Sequence, residues 1–299
     1  MSVVIPTGGR KVTVASLQEQ KFNHQPISSL TAYDFASARL VDEAGIDVIL
    51  VGDSLAQVML GYENTLPVTM EEMLHHTKAV RRGVRRALLV ADMPYSSYHI
   101  TCREALINAS RFIKEAGAEA VKIEGGVKRC ELVRKVVDAE IPVMGHIGLT
   151  PQSVHMMSGY KVQGKTLGAA EQLMKDATAL ERAGVFAIVL EGIPREVAAM
   201  ITAEVAVPTI GIGAGPECDG QILVYHDLLG LSFTPPAKFV RAFANVGDVI
   251  RQALQAYKQE VEAGEYPNDA ESYHLPQDTA ADLEAIRERK QVVELKHRR

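Results

Sequence analysis

Five apolar segments of this chain each stop on a side chain that can bind a metal or move a proton. VILVGDS runs into Asp53 and Ser54, LLVAD ends on Asp92, AVKIE on Glu124, PVMGH on His146 and FAIVLE on Glu191. An apolar run that halts on a polar group is how a parallel barrel delivers chemistry to one rim, because its strands are buried on both faces until they emerge. Positions 53, 92, 124, 146 and 191 are therefore expected in one site.

The three acids at successive strand ends point to a cation. Asp53, Asp92 and Glu124 close the second, third and fourth strand candidates, and neighbouring strands lie only about 4.8 Å apart, so inward carboxylates converge. Hard oxygen donors that incompletely enclose an ion suit Mg²⁺, which keeps waters that substrate oxygens can displace. Each acid taken singly also reads as a cap for the helix that follows it. Lys122 stands two residues before Glu124, hence on the same inward face. A lysine there needs an anion, either Asp92 or Glu124 or a substrate carboxylate. Glu191 is followed by Gly192 and Pro194 and preceded by Ile188, Val189 and Leu190, a setting in which desolvation would raise its proton affinity towards that of a general base. Its alternative role is a helix-capping acid. His146 reads as a group that orients substrate, relays a proton or is simply a satisfied structural histidine.

Alternating strand and helix signals supply the frame for these residues. Strand candidates are Ile27–Tyr33, Asp47–Val51, Ala87–Asp92, Ala120–Glu124, Pro142–His146, Val185–Glu191, Pro208–Ile212 and Ile222–His226. Helical patterns lie between them at Phe35–Ala44, Thr69–Arg82, Cys102–Ala116, Val127–Ala139, Leu167–Ala183 and Arg195–Ala203, with a long last one over Ala237–Ala263. Eight strands with interleaved helices predict a closed (β/α)₈ TIM barrel, an α/β fold, spanning residues 27–263. Gly45, Gly117 and Gly184 each follow an Ala-ended helix and precede a strand, as left-handed helix ends do. Residues 1–26 form an N-terminal arm whose helical stretch Val14–Lys21 is placed to cap the barrel's N-terminal mouth. Residues 264–299 form a polar C-terminal extension with a helical stretch near Thr279–Leu295.

Composition excludes several function classes. The chain has 299 residues, 47% hydrophobic, 5% aromatic and no Trp, with a net charge of −5. That content supports a large core, but a stacking surface for nucleic acid is not indicated. The basic clusters Arg81–Arg82 with Arg85–Arg86, and His297–Arg298–Arg299, read as solvated faces. Three scattered cysteines form neither a disulfide framework nor a metal knuckle, which suits a reducing cytoplasm. No apolar stretch approaches the length of a membrane span, and the first residues lack a signal-peptide core, so an unexported protein that does not enter membranes is expected. Gly211-Ile212-Gly213-Ala214-Gly215 does not match a dinucleotide fingerprint, because it follows the seventh strand and no acidic strand end comes at the right distance.

The segments LTAYD (Leu30–Asp34), DEAGIDVILVGDSL (Asp42–Leu55), GYENTLPVTMEEM (Gly61–Met73), DMPYSSY (Asp92–Tyr98), VKIEGG (Val121–Gly126), GHIGLTPQSV (Gly145–Val154), GYKVQGKT (Gly159–Thr166) and GIGAGPECDGQILVYHDLLG (Gly211–Gly230) together closely resemble ketopantoate hydroxymethyltransferases. The resemblance implies a Mg²⁺-dependent aldol-type enzyme of pantothenate synthesis. Its partners would be small molecules, 5,10-methylenetetrahydrofolate as one-carbon donor and the 2-oxo acid 3-methyl-2-oxobutanoate as acceptor. Asp53 and Asp92 match the family's metal-site aspartates and Glu124 its third metal-site acid. Ser54 and Lys122 match keto-acid contacts, and Glu191 matches the proton acceptor. A large ring-based homo-oligomer, a decamer, is also implied. Ala56-Gln57 stands where the family usually has Gly-Met, His155–Ser158 varies a segment beside GYKVQG, and the tail after residue 263 is longer than usual.

A competing reading is another Mg²⁺-dependent barrel acting on 2-oxo acids, such as a carbon–carbon lyase, which shares the metal acids but needs no folate. A ligand-binding barrel without catalysis has no need for Glu191. Closure of the loops Leu55–Val68 and Thr150–Thr166 would keep water from an enolate.

Overall fold

In the computed structural model, which describes residues 10–297, the strands close into a parallel barrel in sequence order. The strands are β1 Ile27–Thr31, β2 Val48–Val51, β3 Leu88–Asp92, β4 Ala120–Glu124, β5 Val143–Gly148, β6 Ala187–Glu191, β7 Thr209–Ile212 and β8 Gly220–Leu223. β1 pairs with β8, which closes the sheet on itself. The helices are α1 Val14–Phe22, α2 Phe35–Glu43, α3 Leu55–Val58, α4 Met70–Gly83, α5 Cys102–Ala116, α6 Cys130–Asp138, α7 Leu167–Arg182, α8 Arg195–Glu204, α9 Tyr225–Leu228, α10 Val246–Ala263 and α11 Gln277–His297. No helix among the described residues is long and apolar enough to cross a membrane. Residues 1–9 of the expected N-terminal arm, and Arg298 and Arg299 of the terminal basic cluster, lie outside the described residues. Of the other basic cluster, Arg86 pairs with Asp47 at 2.8 Å and Arg81 approaches Glu119 at 3.6 Å, a tethered face.

Two apolar layers hold the barrel. The outer faces of the strands pack against α2, α4, α5, α6, α7 and α8 in one continuous core. The lower half of the lumen is filled by inward residues such as Ile27, Val48, Leu88, Val90, Met144, Val189 and Ile210. Helix α1 closes the N-terminal end. Thr13 and Ser16 form a reciprocal capping box at its start, and Leu17 is fully buried among the lumen residues. Lys21 Nζ then donates to Asp219 Oδ2 at 2.9 Å, just before β8. The expected cap over the N-terminal mouth is thus present, at the end of the barrel opposite the strands' C-terminal ends.

Gly45, Gly117 and Gly184 all have positive φ, and Gly117 caps α5 in the left-handed conformation at φ 71°. Two expectations shift. The last strand is Gly220–Leu223, and His226 belongs to the short helix α9. The long helix begins at Val246, not Ala237. Residues 237–244 have helical apolar spacing, but tertiary contacts draw them elsewhere: Phe243 N donates to Leu228 O, and the Phe239 ring fills the space a side chain at Gly213 would need. The chain divides into two compact units at Ala244 and Asn245. The second comprises α10, ended by Gly264 at φ 70°, and α11.

Replacing Leu17 by Ala should cost about 2–5 kcal/mol of stability, since it removes a fully buried floor residue. Urea denaturation measures this. Because the change lies at the face opposite the strands' C-terminal ends, the cavity chemistry of the folded variant should be unchanged.

Candidate active site

Parallel register sets the heights of the inward side chains. Asp92 lies level with Lys122, Glu124 with His146, and Glu191 with Gly148. Glu191 therefore stands one pleat above His146 on the adjacent strand. Gly148 permits this closeness: a Cβ there would lie 2.2 Å from the Glu191 carbonyl, and its φ is +97°. Asp53 and Ser54 follow β2 on the turn into α3, which brings Asp53 N within 3.3 Å of Asp92 Oδ2. All the strand-end residues singled out from the sequence (Asp53, Ser54, Asp92, Lys122, Glu124, His146 and Glu191) line one cavity of about 340 Å³. Leu50, Leu149, Val189, Ile212, Ile222 and Leu223 form apolar parts of its wall, and Gln57, Thr65, Pro151 and Tyr160 come from the two loops expected to close.

The ionised groups form a buried chain. Lys122 Nζ donates to Asp92 Oδ2 at 2.6 Å and lies 3.7 Å from Glu124 Oε1. His146 stands between two acids, with Nδ1 3.2 Å from Glu124 Oε1 and Nε2 3.2 Å from Glu191 Oε2. Neither contact is aligned as a hydrogen bond, so attraction between charges carries both. Burial pushes His146 towards the neutral form, as does the Lys122 charge, yet Glu124 and Glu191 outweigh them and raise it to about 9. Burial opposes charge on Lys122 as well, but Asp92, Glu124 and Asp53 hold it firmly cationic. Burial also acts against ionisation of Glu124, but His146, Lys122 and the Gln152 backbone overcome it and lower its proton affinity. Asp53 goes the other way: burial, then repulsion from Asp92 and Glu124, raises it well above the ordinary carboxylate range. Asp92 is raised by burial against the pull of Lys122. Four carboxyl groups, Asp53, Asp92, Glu124 and Glu191, thus share the cavity with two cationic groups, Lys122 and His146.

That excess bears on a metal. Among the described residues no three His, Cys, Asp or Glu side chains form a preassembled ligand set. Mg²⁺, however, is ordinarily held by one or two carboxylates with waters and substrate oxygens. Asp92 Oδ1 is buried with no hydrogen-bond partner among the described residues, and Asp53 faces the same cavity with a proton affinity that a neighbouring cation would reverse. The donor set fits a hard divalent ion held chiefly by Asp53 and Asp92, with Glu124 behind them.

Three contributors carry no periodic signal in the sequence. Gln152 Nε2 donates to Asp53 Oδ2 and to Met93 O, both at 3.0 Å, and its backbone N donates to Glu124 Oε2 at 3.1 Å. Tyr98 OH donates to Gln152 Oε1 at 2.6 Å and lies 3.3 Å from Glu124 N. Tyr33, wholly buried, shares a 2.8 Å hydrogen bond with Ser54 Oγ. Gln152 follows a proline in a long loop, where nothing local distinguishes a buried amide from a solvated one. Only its place inside the GHIGLTPQSV segment marked it.

Fold and site together define an enzyme-like (β/α)₈ barrel with acid–base groups and a cation-competent carboxylate cluster at the C-terminal mouth. The family model for ketopantoate hydroxymethyltransferase matches residues 11–269, and the chain belongs to that enzyme family. A protein of Koribacter versatilis (strain Ellin345) named 3-methyl-2-oxobutanoate hydroxymethyltransferase is 66% identical over 290 residues, covering 97% of this chain and 98% of that one. One of the same name from Syntrophomonas wolfei is 56% identical over 270 residues, covering 90% and 97%. Among solved structures, phosphonopyruvate hydrolase in complex with oxalate and Mg²⁺ superposes with a TM-score of 0.58 at 13% identity, covering 96% of this chain and 100% of that one, a likeness of fold.

Replacing Lys122 by Met should cost about 3–5 kcal/mol, because Asp92 is left as a buried charge without its partner. Urea denaturation at neutral pH measures the loss. A change below about 1 kcal/mol would mean that Asp92 is already protonated and that the pair is not ionic.

Proposed function

We propose that this chain transfers a hydroxymethyl group from 5,10-methylenetetrahydrofolate to 3-methyl-2-oxobutanoate, giving 2-dehydropantoate for pantothenate synthesis, with Mg²⁺ at Asp53, Asp92 and Glu124. The observation that carries this reading is the meeting of a cluster of three buried acids and Glu191 in one cavity, in a chain of this family. Mg²⁺, when bound, supplies electrophilic stabilisation of the negative charge that develops on the keto oxygen as the C3 proton leaves.

The protein's own groups do the remainder. Glu191 takes the C3 proton. His146 engages its Oε2, which leaves the other oxygen to face the substrate. The freed electron pair at C3 forms the new carbon–carbon bond to the donor's methylene carbon as that carbon's bond to one folate nitrogen breaks; a water oxygen then bonds to the same carbon as its bond to the second nitrogen breaks, and the C3 proton and one water proton end on the two nitrogens, leaving the hydroxymethyl group on C3. Ser54, its hydroxyl steadied by Tyr33, holds the keto acid. Lys122 holds its carboxylate from one side while donating to Asp92 on the other. The apolar wall around Leu50, Val189 and Ile222 accepts the branched alkyl group. The reading also carries a cytoplasmic homo-oligomer, with a decamer as its expected size.

Turnover of 3-methyl-2-oxobutanoate should require both the folate donor and a divalent cation, and should vanish with EDTA. Product formed without folate would reject the transfer.

Replacing Glu191 by Gln should leave keto-acid binding within a few-fold while lowering exchange of the substrate's C3 hydrogen with deuterium by about a hundredfold or more. NMR follows that exchange without folate. Exchange at the unaltered rate would move the base elsewhere.

A further inference from the structure

We infer that Gln152 is a positioning residue that fixes the orientations of Asp53 and Glu124 beside a divalent-cation site. The inference rests on the proposed metal site and goes beyond it, because Gln152 is not one of the acids assigned to the metal and both ends of its amide are engaged by protein groups.

The amide's orientation is settled by its surroundings. Met93 O and Asp53 Oδ2 are both acceptors, so the amide end facing them is the nitrogen, and its two hydrogens are fully used at 3.0 Å each. Tyr98 OH donates to the other end at 2.6 Å, which fixes it as the oxygen. The backbone N of the same residue holds Glu124 Oε2 at 3.1 Å. One residue thus grips two of the three acids, one through its side chain and one through its main chain, and the residue is itself buried, at 5% exposure.

The chemistry gives this grip a purpose. Asp53 and Glu124 repel one another, and Glu124 already has His146 and Lys122 nearby. Asp53 has no cationic hydrogen-bond partner among the described residues, and the Gln152 amide is the side-chain donor that holds its carboxylate. By occupying Oδ2, the amide leaves Oδ1 as the oxygen for an ion. A lysine here would neutralise Asp53 and weaken its hold on a cation. The amide orients without adding charge, as outer partners of metal ligands commonly do.

Gln152→Leu, which keeps volume and removes both amide ends, should weaken Mn²⁺ binding about 10- to 100-fold, the effect typical of losing such a partner. Mn²⁺ binding to the folded, EDTA-stripped protein is read by the loss of the free-ion EPR signal, without turnover. A purely structural role predicts a lower melting temperature with unchanged Mn²⁺ affinity, and that result would overturn the inference. If Gln152→Leu does not fold, Tyr98→Phe makes the same test: it removes only the hydroxyl that anchors the amide oxygen and should weaken Mn²⁺ about tenfold, at the low end of that range. Unchanged affinity there would likewise overturn the clamp. Should the unaltered protein itself fail to bind Mn²⁺, the metal reading falls and the clamp with it, whereas binding by the unaltered protein with equal binding by the variants removes the clamp alone.

Discussion

Everything at the mouth of this barrel answers to one constraint: three carboxylates, a lysine and an imidazole have been taken out of water together. Removing a single ion from water costs several kcal/mol even after relaxation, so such a group persists only where partners meet it at close range. Strand register provides that meeting. Asp92 opposite Lys122 and Glu124 opposite His146 are cross-strand neighbours whose places are set by backbone pairing, not by flexible side-chain reach. A one-residue slip would turn Lys122 and Glu124 away from the lumen, so the ionic chain and the β-sheet specify one another.

The apolar half of the barrel offsets the cost of the polar half. Leu17, Ile27, Met144, Ile210 and their neighbours fill the lower lumen, and the helices cover the strands' outer faces. The apolar burial lies there and around the α1 plug, and the groups that repel one another lie at the C-terminal mouth. The residual imbalance shows in Asp53, whose carboxyl burial and like charges hold far above its usual range. Groups displaced in this way collect at functional sites, because catalysis and binding use such perturbed groups whereas folding alone disfavours them.

Strands place the charges, and loops adjust them. The turn after β2 brings Asp53 beside Asp92, and the loop after β5 sends Gln152 back to reach Asp53, Glu124 and Met93. Tyr98, on the loop after β3, anchors that amide while meeting the Glu124 backbone. Three separate segments thereby share a polar network whose side-chain donors and acceptors complement one another, and this joint satisfaction makes it rigid. Gly148 contributes by absence: without a side chain it lets β5 approach β6 so that His146 sits under Glu191.

Sequence alone determined the barrel, the strand that carries each ionisable group and the common rim on which those groups lie. It could do so because buried parallel strands are uninterrupted apolar runs, and an ionisable residue that ends such a run marks the point where the strand emerges at the mouth. The period of two likewise put Lys122 and Glu124 on one face. Tertiary structure decided the pairings left open: Lys122 lies against Asp92, and His146 bridges Glu124 and Glu191. It also decided that residues 237–244 leave helical form and that Gln152, Tyr98 and Tyr33 belong to the site. Those outcomes depend on contacts between segments far apart in the chain, where neither periodicity nor local propensity carries information. A loop glutamine looks solvated until the acids it must hold have been folded around it.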